Sequence, residues 1–360
     1  MRFAVAMSGG VDSLRTAAIL KALGHQVMGV SMRIQPESSS GRWCAASLHA
    51  RREADLARLA QWLSIPLMWV DLRRDFDERV LKPFEETYRL GLTPNPCVLC
   101  NPLVKFGALL DHSREMGAER FATGHYARID PPDDSSTRFR LRRAIDPAKD
   151  QSYFLYGLTQ AQLAASCFPL GESLKRDVVA WSQNIPVAGL LSGESQEICF
   201  IPDGDYHGFL AERAGKNRYE MVGSIVDQEG RVLGEHKGIS AYTIGQRRGL
   251  GIASTAPFYV VAIDAASNTI RVGRAEDLRR GEIEVGAVNW VSVEAPLEPL
   301  SAQVRIRNQH RPAPALVIPL DTGRVTVRFD EPQRAVTPGQ AAVFYDQDVV
   351  LGGGIIQSYD

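Results

Sequence analysis

A chain of 360 residues, 44% hydrophobic and 23% charged with a formal net charge of -1, has the make-up of a globular protein of two or three domains. It has no run of about 20 apolar residues, which excludes a helical membrane span. The near-neutral total leaves a nucleic-acid partner open, because RNA needs only a local basic face. Five cysteines, at positions 44, 97, 100, 167 and 199, are too few for a disulfide scaffold. The chain runs directly into a strand with no apolar signal region, so a cytoplasmic location is expected.

In chain order, RFAVAM reads as a buried strand and VDSLRTAAILKALG as a helix ending at Gly24. QVMGVSMRI is a second strand, ASLHARREADLARLAQWLS a helix and PLMWVDL a third strand. Helical spacing returns in FDERVLKPFEETYRLG and VKFGALLDHSREMG, followed by the strand RFATGH. Alternation of this kind predicts an α/β fold with a doubly wound parallel sheet, its ligands beyond the carboxyl ends of the strands. After about residue 200 short β-like runs take over, with turns at Gln228-Glu229-Gly230 and Asp321-Thr322-Gly323. The expected division is a first domain over 1–200, a small linking domain over 201–280 and a β-barrel over 281–360. Ser38-Ser39-Ser40 and DPPDDSS read as exposed loops.

The first strand and helix are joined by AMSGGVDS, comprising Ala6, Met7, Ser8, Gly9, Gly10, Val11, Asp12 and Ser13. Backbone N–H groups and a helix start around one point suit a phosphate. Gly9 and Gly10 permit close backbone approach, Ser8 and Ser13 add hydroxyls, and Asp12 suits a magnesium ion. The bland alternative is a tight connection with Asp12 as a cap. The stretch resembles the pyrophosphate loop of enzymes that split ATP between its α and β phosphates. That resemblance implies an N-type ATP pyrophosphatase, Rossmann-like fold, with Met32 near the adenine.

GLTPNPCVLCNPLVKFG places Cys97 and Cys100 as C-x-x-C in a proline-stiffened turn ahead of a helix, a setting expected to favour the thiolate. Half a zinc site, a redox pair and coincidence compete with a reactive role. Cys44 and Cys167 read as buried and inert. Cys199 stands in SQEICFIP. Taken in order, the loop, TPNPCVLCN, ATGHYARI, DPAKDQSYFL, SQEICFIP, YTIGQRRGLGI, DEPQRAVTPGQAAVFY and LGGGII cover nearly the whole chain. Together they resemble the bacterial tRNA-specific 2-thiouridylases, which replace O2 of the wobble uridine by sulfur in tRNAs for lysine, glutamate and glutamine.

The resemblance implies that ATP, with Mg2+, meets the loop from Ala6 to Ser13, Met32 and Gly124. It implies a persulfide on Cys199, with Cys100 as nucleophile or resolving thiol and a disulfide between the two as an end state. Asn95, Pro96 and Cys97 would contact the flipped base. His125, Lys149, Asp150, Gln151, Arg307, Asn308 and Gln340 match positions that touch tRNA. An upstream sulfur donor, either a cysteine desulfurase or a sulfur-relay protein, is implied as a partner. Three departures stand out. Cys97 replaces a common aspartate, which keeps open a [4Fe-4S] cluster on Cys97, Cys100 and Cys199 as the sulfur carrier. Leu14-Arg15 replaces small residues, and Arg15 is expected to face solvent. Asn308 replaces an aromatic residue. Arginines 247, 248, 271, 274, 279, 280, 305, 307 and 311 suit contacts to RNA phosphates. Rival readings are another adenylating tRNA modifier and a non-catalytic metal protein with a regulatory nucleotide site.

Overall fold

The structure is a computed structural model that describes residues 1–35, 46–134, 136–193, 198–201, 204–214, 221–321 and 323–357, with backbone only at 46–50 and 214. Cys44, the Ser38-Ser39-Ser40 patch, Ser135, residues 195–197 and 202 of SQEICFIP and Thr322 lie outside the described residues.

The first sheet is built from β1 (Arg2–Ala6), β2 (Gln26–Arg33), β3 (Leu67–Asp71) and β4 (Arg120–Ala122). After β4 come β5 (Ala127–Asp130), β6 (Arg140–Arg143) and β7 (Ser166–Cys167). The sheet order is β3-β2-β1-β4-β7, and every pairing is parallel. The order reverses between β1 and β4, so the crevice beyond their carboxyl ends is the natural ligand position of such a sheet. Alternate side chains of β1 enter different cores. Phe3 and Val5 pack with Leu14, Leu56 and Leu59 on one side, whereas Ala4 joins Phe76, Phe84 and Phe106 on the other. This two-sided burial explains why RFAVA is apolar at successive positions rather than alternating.

Helix α1 (Val11–Ala22) begins directly after the glycines, and its end is closed by Gly24 at φ +80. The helix expected over 104–117 starts earlier, at Pro96. One helical run passes from Pro96–Cys100 through π-helical Asn101–Leu109 to Leu110–Glu115. Both cysteines of C-x-x-C therefore lie inside the helix, not in a turn ahead of it. Pro96 is tolerated at the first helical position, where its missing N–H leaves no bond unmade.

A second sheet has the order β10-β11-β8-β9, from β8 (Gly223–Val226), β9 (Val232–His236), β10 (Tyr259–Asp264) and β11 (Thr269–Gly273). It carries its own small core around Ile225, Val260 and Ile270. The remaining strands are β12 (Arg279–Asn289), β13 (Leu300–Arg305), β14 (Ala313–Pro319), β15 (Val325–Arg334), β16 (Ala341–Asp346) and β17 (Val349–Ile356). They run β12-β15-β14-β13-β16-β17, and pairing of β12 with β17 closes a six-stranded barrel. Closure removes the exposed sheet edges.

The barrel is not separate from the first sheet's domain. Hairpin β5–β6 joins it through β6, with Val350 paired to Leu141 and Val349 to Arg142. The Tyr153 hydroxyl donates to the Ala341 carbonyl at 2.8 Å, and Val343 and Tyr345 belong to the same core as Phe106 and Phe121.

Candidate functional site

The AMSGGVDS loop divides into buried and open parts. Ala6 pairs with Val30 in the sheet, the Met7 N–H donates to the Val30 carbonyl at 2.8 Å, and Val11 packs beside Tyr126. Gly9 adopts φ +86, and its carbonyl accepts from the Ser192 N–H at 3.0 Å. The Ser13 hydroxyl donates to the Gly10 carbonyl at 2.9 Å, while Ser8 stays exposed with its hydroxyl 3.4 Å from the Gly10 N–H. The exposed Ser8 hydroxyl beside a positive-φ glycine and a helix start keeps the ingredients of an anion-binding turn.

Asp12 is not poised for a cation in the way its sequence setting predicts. Lys175 Nζ lies 2.7 Å from both of its carboxylate oxygens, and the Tyr126 hydroxyl donates to Oδ1 at 2.9 Å. Lys175 opens the helix Lys175–Gln183 and is only 8% exposed. It is a buried cation at the rim of the loop, and sequence reasoning passed over it because FPLGESLKRD carries no recognisable phosphate motif. Arg15, expected to face solvent, instead stacks on Trp181 with 4.8 Å from its guanidinium carbon to the ring centre.

Gly124 follows β4 and lies against the start of α1. A Cβ there would come within 2.9 Å of the Asp12 carbonyl carbon and 3.0 Å of the Ser13 nitrogen. The glycine thus admits the close approach of two backbones. Its neighbour His125 receives or donates a 2.8 Å hydrogen bond with the Thr123 hydroxyl and packs between Phe106 and Phe168. Burial, then the nearby Lys105 cation, holds its imidazole well below the ordinary histidine range, so it is neutral near pH 7. Met32 is half-buried near the end of β2, against the main core.

Cys97 and Cys100 come from the helical run, and Cys199 comes from a segment about a hundred residues later. Phe200 and Ile201 anchor that segment, with Phe200 packed edge-on against Phe76 and Phe84 at 5.4 Å each. Cys97 and Cys199 reach solvent, and Cys100 is buried. The three thiols are close enough to influence one another electrostatically, and Lys105 acts on each of them. Crowding by the surrounding protein pushes all three thiols up, Cys100 to about 12. This overturns the expected thiolate-favouring shift, because desolvation of a sulfur anion outweighs the first helical turn. Cys167 lies in β7 and is raised to about 11 by burial, in keeping with an inert role.

Among the described residues no three His, Cys, Asp or Glu side chains are grouped to hold one ion, the three cysteines included.

The remaining candidates are scattered. Asn95 caps the Pro96 helix with extended backbone, and Gln340 donates to the carbonyls of Thr93 and Pro94 at 3.0 and 3.1 Å. Gln340 is thus a clamp from the barrel onto the turn bearing Asn95 and Pro96. Asp150 is 5% exposed and pairs at 3.1 Å with Arg305, 12% exposed, while its Oδ1 accepts from the N–H groups of Ala144 and Ser152. Gln151 Oε1 accepts from the Tyr126 N–H at 3.0 Å. Lys149 is half-buried, Asn308 accepts from Arg305 through its carbonyl, and Arg307 is exposed. Of the arginines expected on RNA, 247, 248, 271, 279 and 311 are exposed, but Arg305 faces inward and Arg274 is bound to the Ala256 and Pro257 carbonyls. Among the described residues no helix is long and apolar enough to cross a membrane.

A parallel α/β sheet with an anion loop at its switch point, a neighbouring thiol cluster and a closed β-barrel defines a nucleotide-loop protein equipped for sulfur chemistry. The family described as "tRNA methyl transferase HUP domain" matches residues 1–203, "tRNA methyl transferase PRC-barrel domain" matches 207–274, and "Aminomethyltransferase beta-barrel domain" matches 280–356. The tRNA-specific 2-thiouridylase MnmA of Syntrophotalea carbinolica is 49% identical over 98% of this chain and 97% of that protein. The protein of the same name from Solibacter usitatus is 46% identical over 98% of each. The chain belongs to the tRNA-specific 2-thiouridylase family. A solved structure, the U34-tRNA thiolase NcsA of Methanococcus maripaludis with its [4Fe-4S] cluster, shows 15% identity and a TM-score of 0.35, covering 61% of this chain and 68% of that one. That likeness is too distant to bear on the chemistry of this chain.

Proposed function

We propose that this protein is an ATP-dependent sulfurtransferase that 2-thiolates the wobble uridine of tRNA. The observation that carries the reading is the convergence of Cys97, Cys100 and Cys199 on the surroundings of Lys105, whose charge also reaches His125, the neighbour of the glycine packed on the loop. Methyl transfer, which the family descriptions mention, gives no use for such a thiol cluster.

The loop from Ala6 to Ser13, with Met32 and Gly124, receives ATP and its accompanying magnesium. The uracil O2 attacks the α-phosphorus, pyrophosphate leaves, and O2 becomes part of an AMP leaving group. A persulfide on Cys199 then attacks C2 through its terminal sulfur, and AMP departs with the oxygen. Cys100 as thiolate attacks the Cys199 Sγ, the S–S bond breaks, and its electron pair leaves with the sulfur now on C2. The products are 2-thiouridine and a Cys100–Cys199 disulfide, which an external thiol reductant returns to two thiols. The persulfide is loaded by an upstream donor, a cysteine desulfurase or relay protein. Cys97 takes the base contact with Asn95 and Pro96, and His125, Lys149, Asp150, Gln151, Arg307, Asn308 and Gln340 belong to or support the tRNA-binding surface. We assign 1–200 to catalysis, 201–280 to linking and 281–360 to tRNA contact, in the cytoplasm.

The test is nucleoside mass spectrometry of unmodified glutamate tRNA after incubation with protein, ATP, magnesium and a persulfide donor. A wobble uridine gaining sulfur for oxygen only with ATP supports the reading. Folded protein that releases AMP without thiolation refutes the substrate, and Cys199→Ser should abolish thiolation while retaining part of the tRNA-dependent AMP release.

A further inference from the structure

The direction of the hydrogen bond between Thr123 and His125 follows from where the hydroxyl sits. Thr123 comes directly after β4 and is 3% exposed. Among the described residues its hydroxyl has a single partner, His125 Nδ1 at 2.8 Å. A hydroxyl carries one proton, and a buried proton left without an acceptor is costly. The proton therefore points at Nδ1, which accepts it. A neutral imidazole holds its own proton on the nitrogen that does not accept, here Nε2. The opposite tautomer, or an imidazolium, would carry a proton on Nδ1 and leave the hydroxyl proton with no acceptor. A ring turned over would set a carbon against the hydroxyl instead of a nitrogen. Phe106 and Phe168 hold the ring in place, with centroids at 5.8 and 6.0 Å.

Nε2 has no partner among the described residues, and it is not sealed from solvent. It lies where the two halves of the site meet. On one side Gly124 is packed against Asp12 and Ser13 of the AMSGGVDS loop. On the other, Phe106 belongs to the helical run that carries Cys97 and Cys100. We propose that Thr123 is a positioning residue that locks His125 in the neutral Nε2–H tautomer, so that the histidine serves as a hydrogen-bond donor to a substrate oxygen and not as a base. The acceptor is an oxygen of the α-phosphate or of the uracil, neither of which has a proton to offer. A donor fixed before the reaction needs no reorganisation as charge develops on the oxygen it faces. This use of the donor rests on the sulfur-transfer reading, while the tautomer itself does not.

The tautomer is read by nitrogen–proton correlation NMR of the histidine rings in the full chain, labelled with nitrogen-15 histidine, without ATP or tRNA. His125 is assigned by the signals missing from His125→Gln. The wild type and Thr123→Ser should show a protonated Nε2 and a bare Nδ1. Thr123→Val, which keeps the shape and loses the donor, should show both tautomers in exchange. A proton on Nδ1 in the wild type overturns the lock, as does an unchanged pattern in Thr123→Val. The donor role is read by tRNA-dependent AMP release with ATP, magnesium and unmodified glutamate tRNA. Thr123→Val should lose about tenfold, and Thr123→Ser should recover most of the rate. His125→Gln, whose amide N–H stands in for Nε2–H, should remain about tenfold faster than His125→Leu. Equal losses in those two variants assign a base and overturn the donor. Adding α,β-methylene-ATP with magnesium, and then tRNA, identifies the acceptor. A shift of the Nε2 proton on the first addition assigns the phosphate, a shift only on the second assigns the uracil, and no shift on either overturns the donor. A wild-type protein that releases no AMP with tRNA overturns the function and leaves the tautomer result standing.

Discussion

Replacing Arg305 by Met tests whether Asp150 is an internal latch or a surface contact for RNA. The Arg305 guanidinium lies 3.1 Å from Asp150 and between the rings of Tyr153 and Tyr345, at 5.6 and 5.9 Å. Both side chains are largely sealed from water, so removing the cation leaves a carboxylate desolvated without its partner. Breaking a buried pair from one side costs about 3–5 kcal/mol. With an unfolding entropy of about 2.1 cal/mol/K per residue, a chain of this length gains roughly 0.75 kcal/mol/K, and the melting temperature should fall by about 4–7 °C. Asp150→Asn, which keeps an acceptor for the Ser152 N–H, should fall less, and the double variant should fall less than the sum. Differential scanning calorimetry measures the shifts, and filter binding measures tRNA affinity on the same samples. Both single variants melting within about 1 °C of the parent, with tRNA affinity down tenfold, would refute the latch and make Asp150 an RNA contact.

Two further outcomes follow from the geometry. In Gly124→Ala the new methyl meets the backbone of Asp12 and Ser13; relief requires shifting the start of α1, at about 1–3 kcal/mol. AMP formation should fall well beyond any loss of tRNA binding, and full activity with an unchanged melting temperature would contradict that placement. Stability should peak between about pH 7 and 8.5. Above about pH 9 the unfolded thiols lose protons that folded Cys100 and Cys167, raised to about 12 and 11, retain, so stability falls by up to about 1.4 kcal/mol per pH unit for each. Below about pH 6.5 the unfolded chain takes up protons that His125, with its lowered pKa, does not, so stability falls again. Urea midpoints from pH 5 to 10 read both limbs, and a midpoint that keeps rising beyond pH 9 would contradict the burial of Cys100.

The alternation of RFAVAM, QVMGVSMRI and PLMWVDL with helical spacing made the parallel sheet legible, because strands buried on two faces are apolar throughout. The loop at the end of β1 was legible for the same reason that it works. Only glycine at positive φ and small hydroxyls suit a backbone cradle. What could not be read depended on contacts distant in sequence. The two-residue strand β7 is too short to carry a period. RLRR in β6 looks like a charged loop until Asp130 and Asp348 are seen to pair with Arg142 at 2.9 and 2.6 Å. Helical periodicity over 104–117 hid the start at Pro96, since a proline pair reads as a break. The π-turn that separates Cys100 from Lys105 has no sequence period of its own, and Lys175 became visible only when its helix came to rest on Asp12.

The bond between hairpin β5–β6 and strand β17 sets a timetable for the nascent chain. Leu141 leaves the ribosome about two hundred residues before Val350, the partner that completes its ladder. At about 5–20 residues per second that interval is roughly 10–40 s. Throughout it the hairpin keeps an unpaired edge, and the core containing Phe106 lacks Val343, Tyr345 and Val350. The N-terminal unit is therefore born incomplete and becomes native only when the last strand arrives. The final eight-residue strand acts as the closing stitch of the whole molecule.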